Sequence, residues 1–181
     1  WMQFRGRDAL FVAVFALQVV PIQVTLIPLL TLYADIGWAG TFWAVWISHT
    51  MFGLPLAVFL LHNFMREIPG ELIEAARVDG AAHVTIFFRL MLPLLKPALA
   101  AFGIYQFLWV WNDLLVALTF AGSSNQVAPM TVALFNLTGT RGSQWFLLSA
   151  GAFVSILVPA IVFFTLQRYF VRGLLAGSVK G

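Results

Sequence analysis

The sequence predicts an all-α protein whose helices cross a membrane several times. Of its 181 residues, 61% are hydrophobic and only 9% are charged, whereas a soluble domain has about 45–50% apolar and about 25% charged residues. The mean hydropathy is +0.93, and so few charged groups could not cover the surface of a soluble protein. The apolar residues form continuous runs, unlike the alternating segments of roughly ten residues found in membrane β-barrels. These observations together predict a polytopic bundle of transmembrane helices.

Four apolar stretches are long enough to be membrane-spanning helices, which need roughly 20 residues each. The first residue is Trp1 and not an initiator methionine, so we expect the chain to begin partway through a longer protein. The predicted spans cover residues 9–33, 41–61, 98–120 and 146–169.

Lysine and arginine residues predict the orientation of these spans, because cytoplasmic loops carry an excess of positive charge. With the amino-terminal end inside, only Arg141 among the basic residues is external. The charged loop at residues 66–96 and the carboxyl terminus are then cytoplasmic, and the loop at 122–144 is external. The basic residues placed on the cytoplasmic side are Arg5, Arg7, Arg66, Arg77, Arg89, Lys96, Arg168, Arg172 and Lys180.

Several kinds of chemistry are excluded by what the sequence lacks. Without cysteine there can be no disulfide, thiolate zinc site or thiol nucleophile. No glycine-rich phosphate loop ending in Lys-Ser or Lys-Thr occurs, and no basic tract suits nucleic acid. We therefore expect no catalytic site, ATPase site, metal or cofactor in this chain.

The cytoplasmic loop has the pattern of two short helices joined by a glycine. Pro69 suits the start of a helix, Glu71 lies where the helix dipole favours a negative charge, and Gly80 is placed as a stop. A second short helix is predicted at residues 83–92, before the third span. This pattern by itself also fits an amphipathic hairpin that has no partner.

Two adjacent alanines distinguish the first of these helices. Ala75 and Ala76 put small side chains at its centre, between charged residues. Small side chains allow another backbone to approach closely, which favours a docking surface over a solvated hairpin.

The order of residues in this loop resembles the EAA loop of ABC-importer permeases. The matching residues are Glu74-Ala75-Ala76, then Gly80, and then Leu90-Met91-Leu92-Pro93, where family members often have isoleucine at the place of Leu90. Residues 4–7, Trp111-Asn112-Asp113 and residues 172–181 are similar to the sugar branch, which includes maltose-type permeases. Residues 140–145 and the carboxyl-terminal segment look most like alpha-glucoside permeases.

The resemblance implies a type I ABC-importer permease, a fold that usually has six spans. The four visible spans and the whole of residues 1–181 would then form the C-terminal two-thirds of one permease domain. It also implies a prokaryotic inner-membrane location. The implied partners are a second permease subunit, an ATPase dimer that binds ATP and magnesium, and an extracytoplasmic sugar-binding protein.

The resemblance further implies that the loop is a coupling helix lying in a groove of the ATPase. By motif position, Glu74 would accept hydrogen bonds from a basic group of the ATPase, and Gly80 would permit the turn between the two short helices. The residues implied in this contact are Glu74, Ala75, Ala76, Asp79 and Gly80.

Polar residues inside a span are costly and therefore indicate function. Gln106, Trp109 and Asp113 share one face of the predicted third span, with Asn112 beside it. An aromatic surface flanked by hydrogen-bonding groups suits a sugar, so these four residues are candidates for the substrate pathway. The alternative is that Asn112 and Asp113 bond to neighbouring helices and only hold the bundle together, and both interpretations stay open.

Two other predictions concern the first two spans. Pro21 and Pro28 predict a distorted first span, since proline interrupts helical hydrogen bonding. His49, in the middle of the second span, predicts a buried histidine satisfied by a neighbour rather than a proton relay.

The function predicted from these observations is that of a permease subunit in an ATP-driven sugar importer. An importer of a non-sugar solute and an ion-coupled secondary transporter are the alternatives. An intramembrane enzyme built on His49 and Asp113 is disfavoured, because no nucleophile motif accompanies them.

Overall fold

The computed structural model describes residues 4–122, 126–139 and 143–178, with side chains described as far as Gln167. Four of the basic residues used to predict the orientation lie wholly or with their side chains outside this part, so their placement stays a prediction: Arg141, Arg168, Arg172 and Lys180. Every regular element in the described ranges is helical. The α-helices are α1 (Arg7–Ala16), α2 (Ile22–Asp35), α3 (Phe42–Glu67), α4 (Gly70–Val78), α5 (His83–Ile86), α6 (Leu92–Leu94), α7 (Lys96–Asn112), α8 (Leu115–Ala121), α9 (Met130–Thr138) and α10 (Trp145–Ser178).

Helices α3 and α10 are each long and apolar enough to cross a membrane unaided, over Phe42–Glu67 and Trp145–Gln167. Two bent helix pairs, Arg7–Val19 with Ile22–Asp35 and His83–Leu94 with Lys96–Asn112, raise the number to four if each pair is one span. The all-helical membrane fold expected from the sequence is therefore confirmed.

The predicted first span is broken near its middle. A 3₁₀ turn, Leu17–Val19, follows α1, and α2 then leaves at an angle of 96°. Val20 is extended immediately before Pro21, as expected because proline disfavours helical backbone at the preceding residue. Pro28 lies inside α2, so of the two prolines Pro21 marks the break.

The predicted third span is also interrupted, and here no proline or glycine causes the break. Helix α7 ends at Asn112, Asp113 takes an extended backbone with a ψ of 129°, and α8 begins at Leu115. The continuous helix expected over 98–120 is thus two helices. Leu95, between α6 and α7, lies at a second bend of 67°.

Helix α3 is the central element and packs against α1, α7 and α8, while α10 packs against α7 and α9. A core cluster joins α2, α3 and α8, where the Tyr33 ring packs edge-on against Phe120. The Tyr33 and Ser48 hydroxyls, both buried, hydrogen-bond at 3.0 Å. The buried members of the cluster are Leu26, Tyr33, Ala44, Val45, Val116, Phe120 and Ala121.

Candidate functional site

Helix α4, in the loop at residues 66–96, ends in a Schellman motif centred on Gly80. The Ala81 N–H donates to the Ala76 carbonyl and the Gly80 N–H to the Arg77 carbonyl, both at 3.0 Å. Gly80 has a φ of 78°, a left-handed conformation that glycine adopts without steric cost. The predicted helix and glycine stop in this loop are confirmed.

A buried cluster fastens the loop to the helices on either side. Ile73 of α4 packs with Ile86 and Met91, which are 8%, 1% and 0% exposed respectively. Met65, near the end of α3, packs against the same cluster. Met91 lies in a π-helical turn, Phe87–Met91, that continues into α6 and α7. Helix α4 is therefore connected through packed side chains to the end of α3 and to the turn that leads, through α6, into α7.

The opposite side of α4 is exposed and forms what we call the outer face, made of Glu71, Glu74, Ala75 and Val78. These residues are spaced i, i+3, i+4 and i+7 and thus share one side of the helix. Val78 is 87% exposed, an unusual position for a valine on a helix with a buried side available.

The residues implied in ATPase contact divide between the two sides of α4. Glu74, Ala75, Asp79 and Gly80 are exposed. Ala76 is partly buried and packs against the Ile73 cluster, so its side chain faces the protein. Val78 was not among the residues predicted, although its i+3 spacing from Ala75 would have placed it on the same face.

A second candidate site lies inside the bundle, around His49 of α3. His49 is 6% exposed. Its Nδ1 lies 2.9 Å from the Val45 carbonyl oxygen, and its Nε2 lies 3.2 Å from Oδ2 of Asp113. The Trp109 ring packs edge-on at a centroid distance of 5.4 Å. The Gln106 amide also reaches the His49 carbonyl oxygen, at 3.5 Å.

The hydrogen bonds of His49 determine the charge of its pair with Asp113. A carbonyl oxygen only accepts, so Nδ1 of His49 carries a proton and donates it to Val45. The contact between Nε2 and Oδ2 then requires one further proton between them. Whichever of the two holds it, the pair is neutral overall, which reduces the cost of placing both groups in a membrane.

Asp113 also explains the break between α7 and α8. Its carboxylate accepts the backbone N–H groups of Val116 and Ala117, at 3.3 and 2.8 Å, and so caps α8 in the manner typical of aspartate. Its backbone carbonyl accepts the Thr131 hydroxyl of α9. One residue thus ties α3, α8 and α9 together.

Beside His49, a cavity of about 550 Å³ opens between α3 and α7. We call it the span cavity. It presents aromatic rings and the polar groups of His49, Thr50 and Gln106, and none of its described lining residues is an acid, a lysine or an arginine. The lining residues are Phe42, Val45, Trp46, His49, Thr50, Gly53, Leu54, Ala57, Phe102, Gln106, Val110, Ala117 and Pro129.

Gln106 is the most distinctive polar group of this cavity. Its side-chain amide lies directly over Gly53, where an added Cβ would be 2.6 Å from Nε2. Its Oε1 is buried and has no hydrogen-bond partner among the described residues. Gln106 therefore has an unused hydrogen-bond acceptor beside the cavity. Leaving a buried acceptor without a partner is costly.

The four predicted pathway residues therefore have different environments. Gln106 lines the span cavity. Trp109 and Asp113 contact His49 but are not among the residues that line the cavity. Asn112 is exposed and its Nδ2 donates to the Leu108 carbonyl of its own helix, at 2.8 Å. Asn112 is thus separated from the group with which the sequence placed it.

Comparison with known proteins shows the family to which this chain belongs. Residues 1–175 match the family described as the binding-protein-dependent transport system inner membrane component. The chain belongs to this family.

Individual relatives match along nearly the whole chain. An osmoprotective compounds uptake permease protein of Synechocystis sp. is 59% identical over 180 residues, which are 99% of this chain and 60% of that protein. An alpha-glucoside transport system permease protein of Rhizobium meliloti is 55% identical over 186 residues, covering 100% of this chain and 49% of that protein. A melibiose/raffinose/stachyose import permease protein of Bacillus subtilis is 36% identical over 176 residues, covering 97% of this chain and 63% of that protein. The chain spans about half to two thirds of the length of these relatives.

Proposed function

We propose that this chain is part of a permease subunit in an ATP-driven sugar importer, and that it docks the ATPase through the outer face of α4. Family membership supports the general role. The observation that carries the docking proposal is the contrast between the two sides of α4: Ile73 is buried in a cluster with Met65 of α3 and Met91 of the turn before α6, whereas Glu74 and Ala75 are exposed.

This arrangement suits the transmission of movement. Protein interiors are close-packed and transmit strain, so a displacement of α4 would move the end of α3 directly and the start of α7 through the Phe87–Met91 turn. Both helices line the span cavity. A push on the outer face by a closing ATPase would therefore change the shape of that cavity.

The remaining partners follow from the class of transporter. ATP and magnesium would bind to an ATPase dimer on the cytoplasmic side. A second permease subunit would complete the pathway across the inner membrane, and an extracytoplasmic binding protein would deliver the sugar. In this topology the loop at residues 66–96 and the carboxyl terminus face the cytoplasm.

The substrate proposed is a neutral, polyhydroxylated solute of the alpha-glucoside type. The span cavity combines Phe42 and Trp46, which can stack on the C–H faces of a sugar ring, with the hydrogen-bonding groups of Gln106 and Thr50. No acid, lysine or arginine is among its described lining residues, and His49 belongs to a pair that is neutral overall, which disfavours a charged solute. The names of the relatives agree with a sugar in two cases, while the osmoprotective compounds of the third leave the chemical class wider.

ATP dependence distinguishes this proposal from an ion-coupled transporter. Proteoliposomes containing the full-length subunit, its partner permease, the ATPase and the binding protein are expected to accumulate a radiolabelled alpha-glucoside only when ATP is enclosed. Glycine betaine, a zwitterionic osmolyte without hydroxyl groups, is expected not to compete. Uptake driven by a sodium or proton gradient without ATP would contradict the importer proposal, and competition by glycine betaine would contradict the sugar assignment.

A second experiment tests the span cavity itself. Gln106→Leu keeps the side-chain volume but removes both hydrogen-bonding groups, so the half-saturating sugar concentration for uptake is expected to rise about tenfold, as for the loss of one good hydrogen bond. Asn112→Leu is the matched control, because Asn112 is exposed and bonds only to its own helix. Equal effects of the two substitutions would show that Gln106 does not contact the sugar.

A further inference from the structure

A second cavity, of about 630 Å³, lies at the opposite end of the bundle from the α7–α8 break, between α1 and α3. We call it the basal cavity. Both helices contribute a cation to it, Arg7 from the start of α1 and Arg66 from the last turn of α3. The full lining is Phe4, Arg7, Asp8, Phe11, His62, Met65 and Arg66.

The polar groups of this cavity are only partly satisfied within the chain. Arg7 pairs through Nε with Oδ1 of Asp8 at 3.1 Å, which leaves its terminal nitrogens available. Arg66 forms no ion pair with any described residue. Nδ1 of His62 is buried and has no hydrogen-bond partner in the described part of the chain. Two guanidinium groups and a histidine with an unused nitrogen therefore surround one space, opposed by the single carboxylate of Asp8.

The same space also has an apolar lining. Phe11 packs against the His62 ring at a centroid distance of 4.1 Å and against Phe59 at 6.3 Å. Phe4 and Met65 complete the apolar lining. A free inorganic anion would gain no binding energy from these apolar side chains, whereas an amphipathic ligand would contact both the charged and the apolar lining residues.

We propose that the basal cavity binds the phosphodiester headgroup of an anionic phospholipid, with the glycerol and the start of the acyl chains against Phe11 and Met65. Basic pockets between transmembrane helices on the cytoplasmic side are typical sites for anionic headgroups. Guanidinium groups suit phosphate because their planar donors match its oxygens. The site requires only that α1 and α3 meet the cytoplasmic leaflet, and it is independent of which solute is transported.

The test uses the full-length subunit in its assembled complex, in nanodiscs that mix phosphatidylglycerol with phosphatidylcholine. Native mass spectrometry after release into detergent measures how much phosphatidylglycerol each variant retains. Arg66→Gln is expected to lower retention about fivefold, as for one guanidinium at an anionic surface. Lys96→Gln is the matched control, since it removes one exposed cytoplasmic charge outside the cavity.

A variant with the opposite effect separates lipid binding from loss of folding. Asp8→Asn removes the carboxylate that opposes the phosphate, so retention of phosphatidylglycerol is expected to rise about fivefold. Glu67→Gln is its control, because Glu67 is exposed at the same end of α3 but does not line the cavity.

Two outcomes would overturn the proposal. Equal changes in each variant and its control would mean that general surface charge, and not this cavity, holds the lipid. Displacement of the bound phosphatidylglycerol by millimolar inorganic phosphate would assign the site to a free anion. A normal sugar uptake with altered lipid retention would leave the importer function untouched, so the two proposals fail separately.

Discussion

Glu74→Arg is expected to abolish ATP-dependent sugar uptake by the assembled importer while the membrane bundle stays folded. Glu74 is exposed on the outer face of α4, so the substitution removes no contact within the chain. Reversing a charge that pairs across an interface costs about 2–5 kcal/mol, which corresponds to at least about 30-fold weaker docking of the ATPase. The ATPase should therefore be lost when the complex is purified through the permease.

Glu71→Arg provides the control for this substitution. Glu71 lies on the same exposed face one turn earlier and undergoes the same reversal of charge. Docking weakened much more by Glu74→Arg than by Glu71→Arg would locate the contact at the centre of the helix. Equal losses would indicate a general electrostatic attraction, and normal uptake by both variants would mean that the loop is a surface hairpin without a coupling role.

Asp113→Ala is expected to destabilise the membrane bundle more than any other single truncation discussed above. It would leave Nε2 of His49 and the N–H groups of Val116 and Ala117 without their partner. Breaking a buried pair in this way costs about 3–5 kcal/mol. A large fall in the melting temperature of the detergent-solubilised complex, or in its resistance to denaturing detergent, is the measurement.

Asn112, the residue before Asp113, provides the control for this loss of stability. Asn112→Ala removes an exposed side chain that bonds only to Leu108 of its own helix, so its effect should stay within about 0.5 kcal/mol. Asp113→Asn should fall between the two, because the amide oxygen can still cap α8 but the carboxylate that shares a proton with His49 is lost. Equal stability of Asp113→Ala and Asn112→Ala would contradict the role of Asp113 as the link between α3 and α8.

Local chemistry was sufficient to predict the helical membrane fold and the first helix of the loop at residues 66–96. The second helix expected at residues 83–92 is instead divided by the π-helical turn Phe87–Met91. Continuous apolar runs leave few alternatives to a transmembrane helix, because backbone polar groups must be satisfied inside the segment. The end of α4 was equally predictable, since a left-handed residue at a helix terminus is usually glycine, and Gly80 occupies that place. Pro21 and Pro28 similarly predicted a distortion of the first span, and the helix breaks at Pro21.

The tertiary structure decided the arrangement of the polar groups. Asp113 and His49 are 64 residues apart, so their pairing could not be predicted from local sequence. Aspartate is a common helix-capping residue, but the apolar residues on both sides of Asp113 favoured one continuous helix. The helix breaks because the carboxylate satisfies two N–H groups of α8 and one histidine at once, and a buried polar network of this kind outweighs the continuation of a helix. Ala76 turns inward and Asn112 outward for the same reason: helical periodicity defines which residues share a face, but only packing against the other helices determines which face is covered.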